Sequence, residues 1–302
     1  MNEGDLKKQF HLAGVVPIAG PPLDFGFPWH DCCAPIAQNY LAIERAVVEC
    51  AYAGCETIWI VCNDDVQPLI RHRLGEYIND PVWAVRPQDP NEINKRKQIP
   101  IFYVPVHPND RDKRDCLAWS VLYGAMSAYS ISKRISKWVT PDRFYTAFPY
   151  GVYPVEGLRE KRREISSREG FAFSYLGKTI KDGEYLGFTF NSEQFIKIRK
   201  SFRKNATGMF KNSTEGIPKE KLPIEERYSA RFFSLQDVFG SLEFSKEQMF
   251  CLPWYYKIDN WEDYRQFMSS PESKDISRPP KYILDYHEWN PIGEDNYIEE
   301  NK

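Results

Sequence analysis

No run of about 18 apolar residues occurs in the 302 residues, so no membrane-spanning helix is expected. Excess charge of either sign is also missing. Forty Lys and Arg face 42 Asp and Glu, a net of −2, which gives no global reason to expect a nucleic-acid partner or an anionic membrane. The seven cysteines (Cys32, Cys33, Cys50, Cys55, Cys62, Cys116 and Cys251) contain no C-x-x-C pair. They read as small residues with reduced thiols rather than as metal ligands or disulfides. The opening "MNEGDLKKQFHLAG" lacks a secretory apolar stretch, so a cytoplasmic location is expected, and the sequons at 205 and 212 then carry no meaning.

What is present is a folding chain, 42% hydrophobic and 15% aromatic. "GVVPIAG" (14–20) reads as a buried strand. Tyr40, Ile43, Val47, Cys50 and Ala51 then repeat at helical spacing, with Asn39 as expected N-cap and Gly54 as stop. "ETIWIVC" (56–62) reads as a strand covered on both faces, and "VQPLIRHRLGEYI" (66–78) as a second helix. "IPIFYVPV" (99–106) is the next strand, and the apolar series Leu117 to Trp138 a long helix capped by Asp115. "RFYTAF" (143–148) adds a strand. Asp182-Gly183 suggests a hairpin turn, and 200–226 a Lys-rich surface excursion. Ser234/Asp237 and Asn260/Asp263 have capping-box spacing. The alternation predicts an α/β fold with a mainly parallel sheet flanked by helices. It is expected to form one domain over 1–270, with the hairpin and excursion at about 161–230. The Pro-rich, aromatic and acidic tail over 271–302 is expected either to strap the domain or to bind a protein partner.

Two stretches resemble the nucleotidyltransferase fold of sugar-nucleotide pyrophosphorylases and cytidylyltransferases. "LAIERAVVECAYAGCETIWIVC" (41–62) is similar to that family's first crossover. "FFSLQDVFGSLEFSKEQMFCLPWYYKIDNWEDYRQF" (232–267) is similar to its closing helix, strand and Ile-Asp turn. The resemblance implies a Rossmann-like fold, a nucleoside triphosphate or sugar nucleotide as ligand, and Mg2+ as cofactor. The reaction it implies is attack of a sugar phosphate on the α-phosphate, with release of pyrophosphate. "FPWHD" and "PLIRHRLGEYI" also resemble uncharacterised proteins of tailed marine phages, which would place the chain in host cytoplasm and supply no activity.

The sequence departs from that family in the loop 20–35, "GPPLDFGFPWHDCCAP". Two prolines follow Gly20 and remove N–H donors, and the loop contains no Lys or Arg. Asp259 matches the position where some cytidylyltransferases hold magnesium, and it is equally suited to helix capping. The other metal Asp of the family would fall at Pro149-Tyr150, with Glu156 or Asp142 as substitutes. His30 and Asp31 are the candidate base and its orienter, or a structural pair. Gly20, Asp24, Asp64, Arg111, Lys113 and Arg114 are the candidate nucleotide-binding residues, the last three just ahead of a helix N-terminus. The aromatic "DFGFPW" could stack a base or plug the pocket. A catalytically inactive scaffold with a protein partner is the competing reading. A glycosyltransferase would normally show Asp-x-Asp after a central strand, and "DRD" (110–112) is not so placed.

Overall fold

The computed structural model describes residues 11–21, 23, 25–84, 97–111, 114, 116–135, 140–167, 169–205 and 229–284. An eight-stranded sheet forms its centre, its strands in the order Met249–Cys251, Ala172–Ser174, Phe188–Asn191, Arg143–Thr146, Leu12–Pro17, Thr57–Cys62, Gln98–Pro105 and Tyr77–Asn79. The first of these along the chain, β1 (Leu12–Pro17), is flanked by β4 (Thr57–Cys62) and β7 (Arg143–Thr146), both parallel to it. Every residue of β1, and all but the first of β4, is buried, as a continuous apolar run demands. Between β1 and β4 lie a small antiparallel pair, β2 (Pro35–Ala37) and β3 (Tyr40–Leu41), and helix α1 (Ala42–Ala53). Gly54 ends α1 at φ 91°, a left-handed conformation that favours glycine, and its N–H returns to the carbonyls of Ala51 and Cys50. Asn39, expected as the N-cap, sits instead at φ 55° before β3, and the Glu44 carboxylate accepts the Leu41 N–H at 2.8 Å.

Residues 66–78 do not form one helix. Helix α2 (Gln67–Leu74) stops at Gly75, and β5 (Tyr77–Asn79) follows as an edge strand antiparallel to β6 (Gln98–Pro105). The short α3 (Pro81–Ala84) leads away from β5. Helix α4 (Leu117–Ile135) crosses the sheet so closely that a Cβ on Gly124 would lie 2.6 Å from Val15 and 2.8 Å from Val61. Its expected cap Asp115 and its expected end at Trp138 lie outside the described residues.

After β7 come β8 (Gly151–Val152), α5 (Leu158–Ile165), β9 (Ala172–Ser174), β10 (Phe188–Asn191) and α6 (Ser192–Asn205). The expected Asp182-Gly183 hairpin turn is corrected. Asp182 closes a 3-10 turn capped by Thr179, while the tight reversal is made by Leu176 (φ 50°) and Gly177 (φ 79°) between bridged Tyr175 and Lys178. Helix α6 takes up the first part of the expected Lys-rich excursion; residues 206–228 lie outside the description. Helix α7 (Leu235–Phe239) and helix α8 (Trp261–Met268) start on the expected caps Ser234 and Asn260. Between them are β11 (Met249–Cys251) and β12 (Tyr256–Lys257), the latter paired with β8. Residues 271–284 lie back on the chain: Asn79 donates its N–H to Ile283 O and its Nδ2 to Tyr282 O, both at 2.9 Å. Ile283 and Leu284 are buried, and Arg278 reaches Glu44 at 3.6 Å. Residues 285–302 of the expected tail lie outside the described residues. Five of the seven thiols are buried; Cys33 is half-buried and Cys251 exposed.

Candidate functional site

In an open α/β sheet, ligands bind beyond the carboxyl ends of the parallel strands, so this edge locates the site. Here β1 runs into the loop 18–34, and six of that loop's N–H groups are engaged within the chain. The N–H groups of Ile18 and Ala19 both donate to Val61 O at 2.9 Å, clamping the loop to the end of β4. Leu23 N–H donates to Asp31 Oδ2 at 2.6 Å, and Cys32 N–H to His30 Nδ1 at 3.3 Å. Cys33 and Ala34 N–H return to the carbonyls of His30 and Asp31. Pro21 has no donor to give. The place where a phosphate oxygen would meet backbone N–H groups thus holds the chain's own carboxylate, Asp31.

The electrostatics of the pair follow. Burial pushes the His30 imidazole down, against the pull of Asp31, Asp65 and a hydrogen bond to the Ile18 backbone. With Nδ1 accepting from Cys32, the neutral ring carries its proton on Nε2 and keeps no free lone pair for proton abstraction. Burial raises the Asp31 carboxyl, partly offset by the Leu23 N–H and by His30. His30 and Asp31 each accept a backbone N–H and so fasten the loop. Gly20 sits half-buried in the bend after Ala19, while Asp24 and Lys113 lie outside the described residues.

The remaining candidates pair with one another. Arg111, at the carboxyl end of β6, forms an ion pair with Asp64 at the end of β4. Arg114 is held by Asp110 at 2.7 Å and lies 5.2 Å from the ring centre of Trp119. Asp64 and Arg111 were expected as separate ligand contacts; the structure joins them as a neutralised couple.

Asp259 follows β12. Its carboxylate meets Lys257 Nζ at 3.0 Å and the Tyr185 hydroxyl, and its N–H donates to Asp263 Oδ2 at 3.1 Å. The Asp263 carboxylate also accepts from Asn260 Nδ2 at the start of α8. Glu156 accepts the N–H of Val155, and Asp142 lies at the amino end of β7, on the opposite edge of the sheet. Among the described residues no group of three or more His, Cys, Asp and Glu side chains could hold a metal ion. One carboxylate already opposed by an ammonium does not fit the oxygen-rich site that Mg2+ requires.

The aromatic loop turns towards α8. Phe25 is buried against Phe27 and Tyr264, at ring distances of 5.5 and 5.9 Å. Trp29 stacks on Phe27 at 5.1 Å, and Trp261 meets the same ring edge-on at 5.5 Å. Both tryptophans remain about half exposed, at 48% and 46%, two residues beyond Asp259 in the case of Trp261. The loop thus has a buried plug, Phe25, and an open aromatic face.

No protein-family model matches the chain, and no curated protein matches it significantly. Solved structures do. A Bacillus anthracis protein described as a glucose-1-phosphate thymidylyltransferase, in complex with sucrose, superposes with a TM-score of 0.54. It is 10% identical, and the match covers 90% of this chain and 98% of that one. Rv0371c from Mycobacterium tuberculosis H37Rv matches at a TM-score of 0.46 and 12% identity, over 87% and 100% of the two chains. The chain has a nucleotidyltransferase-like, Rossmann-like α/β fold. These comparisons give the phage resemblance no support.

Proposed function

We propose that this protein binds a nucleotide, most favourably a sugar nucleotide, at the carboxyl edge of its parallel strands without transferring a nucleotidyl group. The observation that carries this reading is the closed loop after β1, where the N–H groups of Ile18, Ala19, Leu23, Cys32, Cys33 and Ala34 are taken up by Val61, Asp31 and His30. In-line displacement at an α-phosphate relies on fixed donors and a divalent ion around the phosphates. Neither the loop nor the Asp259–Lys257 couple offers such a set. The half-exposed Trp29 and Trp261 offer a stacking face for a base or sugar ring, next to the Asp259 carboxylate and the Lys257 ammonium.

The competing scaffold reading assigned a protein partner to the tail. Residues 271–284 are docked on the chain's own β5 and α1, which weighs against that stretch as a free peptide.

Thermal denaturation against UDP-glucose, dTDP-glucose and the free triphosphates, with and without Mg2+, tests the proposal. A ligand at one hundred times its Kd adds about 2.7 kcal/mol of stability. The expected result is a magnesium-independent shift with sugar nucleotides, lost in Trp261→Ala, and no pyrophosphate from triphosphate plus sugar 1-phosphate. Pyrophosphate release abolished by Asp259→Asn would establish a transferase instead. Silence towards every nucleotide would leave the scaffold reading.

A further inference from the structure

Cys32 and Cys33 stand apart from the other thiols. They are adjacent in sequence, their sulfurs lie 3.9 Å apart, and they differ in access, Cys32 being 0% exposed and Cys33 half-buried. Both belong to the 3-10 turn Asp31–Cys33 near the end of the loop after β1. His30 holds that turn: its Nδ1 accepts the Cys32 N–H at 3.3 Å, and its carbonyl accepts the Cys33 N–H at 2.9 Å. Cys50 and Cys55 also lie close together, both against Gly14, but at 0% and 1% exposed they are equally sealed from solvent.

The thiolate is the reactive form of cysteine. The Cys33 thiol is held below its ordinary value, chiefly by the S–H of Cys32 and with help from the Arg73 guanidinium, against its burial and the charges of Glu44 and Asp31. Burial pushes the Cys32 thiol the other way, and its contact with Cys33, together with Cys62 and Asp31, adds to that. An accessible thiol that ionises first thus has at its side a buried thiol that keeps its proton. A two-step reversible oxidation needs this division, a nucleophile and a resolving partner.

We infer that Cys32 and Cys33 form a reversible oxidation site for hydroperoxides, and that their bridge loosens the turn that helps to close the loop. The Cys33 sulfur attacks a peroxide oxygen, the O–O bond breaks, and the leaving oxygen departs as water once protonated, which leaves a sulfenic acid. The Cys32 sulfur then attacks the Cys33 sulfur. The S–O bond breaks, and the Cys32 proton leaves with the hydroxyl as a second water. Two thiols are oxidised to one disulfide, and one hydrogen peroxide is reduced to two waters. Bridging draws the sulfurs from 3.9 Å to about 2.05 Å across Cα atoms only about 3.8 Å apart, where disulfides ordinarily span roughly 4.4–6.8 Å. The turn must therefore twist, away from the conformation that the His30 bonds fix. A strained bridge is also readily reduced, so ordinary thiols reset it.

The test treats the reduced full chain with hydrogen peroxide, blocks the remaining thiols with N-ethylmaleimide and maps tryptic peptides by mass. Peptide 9–45 contains these two cysteines and no other. It is expected to lose two hydrogens, to take up no maleimide and to regain both thiols in dithiothreitol. Tryptophan fluorescence, with Trp29 one residue ahead of His30, is expected to change and recover in step. In Cys32→Ala the reaction stops at the sulfenic acid, so dimedone labels Cys33; in Cys33→Ser peptide 9–45 is left unoxidised. Cys251, exposed and with no cysteine beside it in sequence, is the internal comparison. Peptide 9–45 keeping both thiols while Cys251 is oxidised, a bridge between two chains, no dimedone on Cys33 in Cys32→Ala, or a bridge that leaves the fluorescence unmoved would each overturn the inference. The readout is the mass of the chain, so it stands or falls apart from nucleotide binding.

Discussion

The two flanks of the first turn of α1 handle polar groups in opposite ways. On the loop side, Asp31, His30 and Val61 take up the backbone donors, and Glu44 accepts the Leu41 N–H while also holding Arg73 at 2.9 Å. On the Arg45 side, a buried guanidinium meets Glu49 at 3.1 Å, Phe148 O at 2.9 Å and the Tyr153 ring at 4.6 Å, sealed from solvent. Both regions are well packed, so the difference lies in the bookkeeping of hydrogen bonds. The loop meets its polar groups with neutral backbone partners and single carboxylates, whereas the core meets a buried charge with an opposite charge.

The sharpest way to break this contrast is at the Arg45–Glu49 pair. Arg45→Ala strands a buried carboxylate and should cost about 3–5 kcal/mol, seen as a large drop in the urea midpoint. The double change Arg45→Met with Glu49→Leu removes both charges and should recover most of that loss. Equal stability of the single and double variants would show that the two side chains are not coupled.

Opening the closed flank comes next in size. Asp31→Ala leaves the Leu23 N–H without its acceptor, at a cost of about 1–3 kcal/mol. The same change frees the Leu23 donor and removes the carboxylate's charge, so inorganic pyrophosphate should raise the melting temperature of the variant and not of the parent. Failure of pyrophosphate to act on the variant would mean that more than one carboxylate keeps phosphates out.

A smaller effect is expected at the far end of α1, where Arg162 donates to Tyr52 O at 2.8 Å and to Asp80 at 2.7 and 3.1 Å. Burial pushes the Asp80 carboxyl up, but the bonds and charge of Arg162 outweigh it and hold the group below its ordinary value. Its contribution is therefore complete above the ordinary carboxylate range and is lost as pH falls through the depressed value. Acid unfolding followed by circular dichroism should show a shallower decline in Asp80→Asn, which starts less stable near neutral pH. Parallel acid limbs would remove Asp80 from the account.

Much of the scaffold can be read locally. Gly54, Ser234 with Asp237, and Asn260 with Asp263 mark helix ends because each signal and its partner lie within a turn. The buried runs of β1 and β4 announce a covered parallel sheet for the same reason. The misreadings share a cause as well. Leu176 adopts a positive φ that no leucine advertises, so Asp182-Gly183 seemed the better turn. Tyr77 to Asn79 turned from helix to strand because β6 was there to pair with them. The site was harder. Asp64 and Arg111 are 47 positions apart in sequence, so no local pattern shows that they pair. Asp31 accepts the Leu23 N–H across a loop whose path no local pattern announces. The absence of Lys and Arg from 20–35 gave no hint that the Asp31 carboxylate takes up the Leu23 N–H. Arg45 carried no local sign, because an arginine in a helix normally faces water.

The attachment of Ile283 to Asn79 also bears on self-association. Strand β5 ends the sheet, and an end strand presents unpaired N–H and C=O groups on which another chain can add a strand. The peptide that covers part of that edge comes from 203 residues further along. During synthesis β5 therefore waits, with its hydrogen bonds unguarded, until nearly all the described chain has emerged. Preparations truncated before Tyr282 should accordingly join edge to edge through β5 more readily than the full chain, whose Asn79 is already bonded to Ile283 and Tyr282.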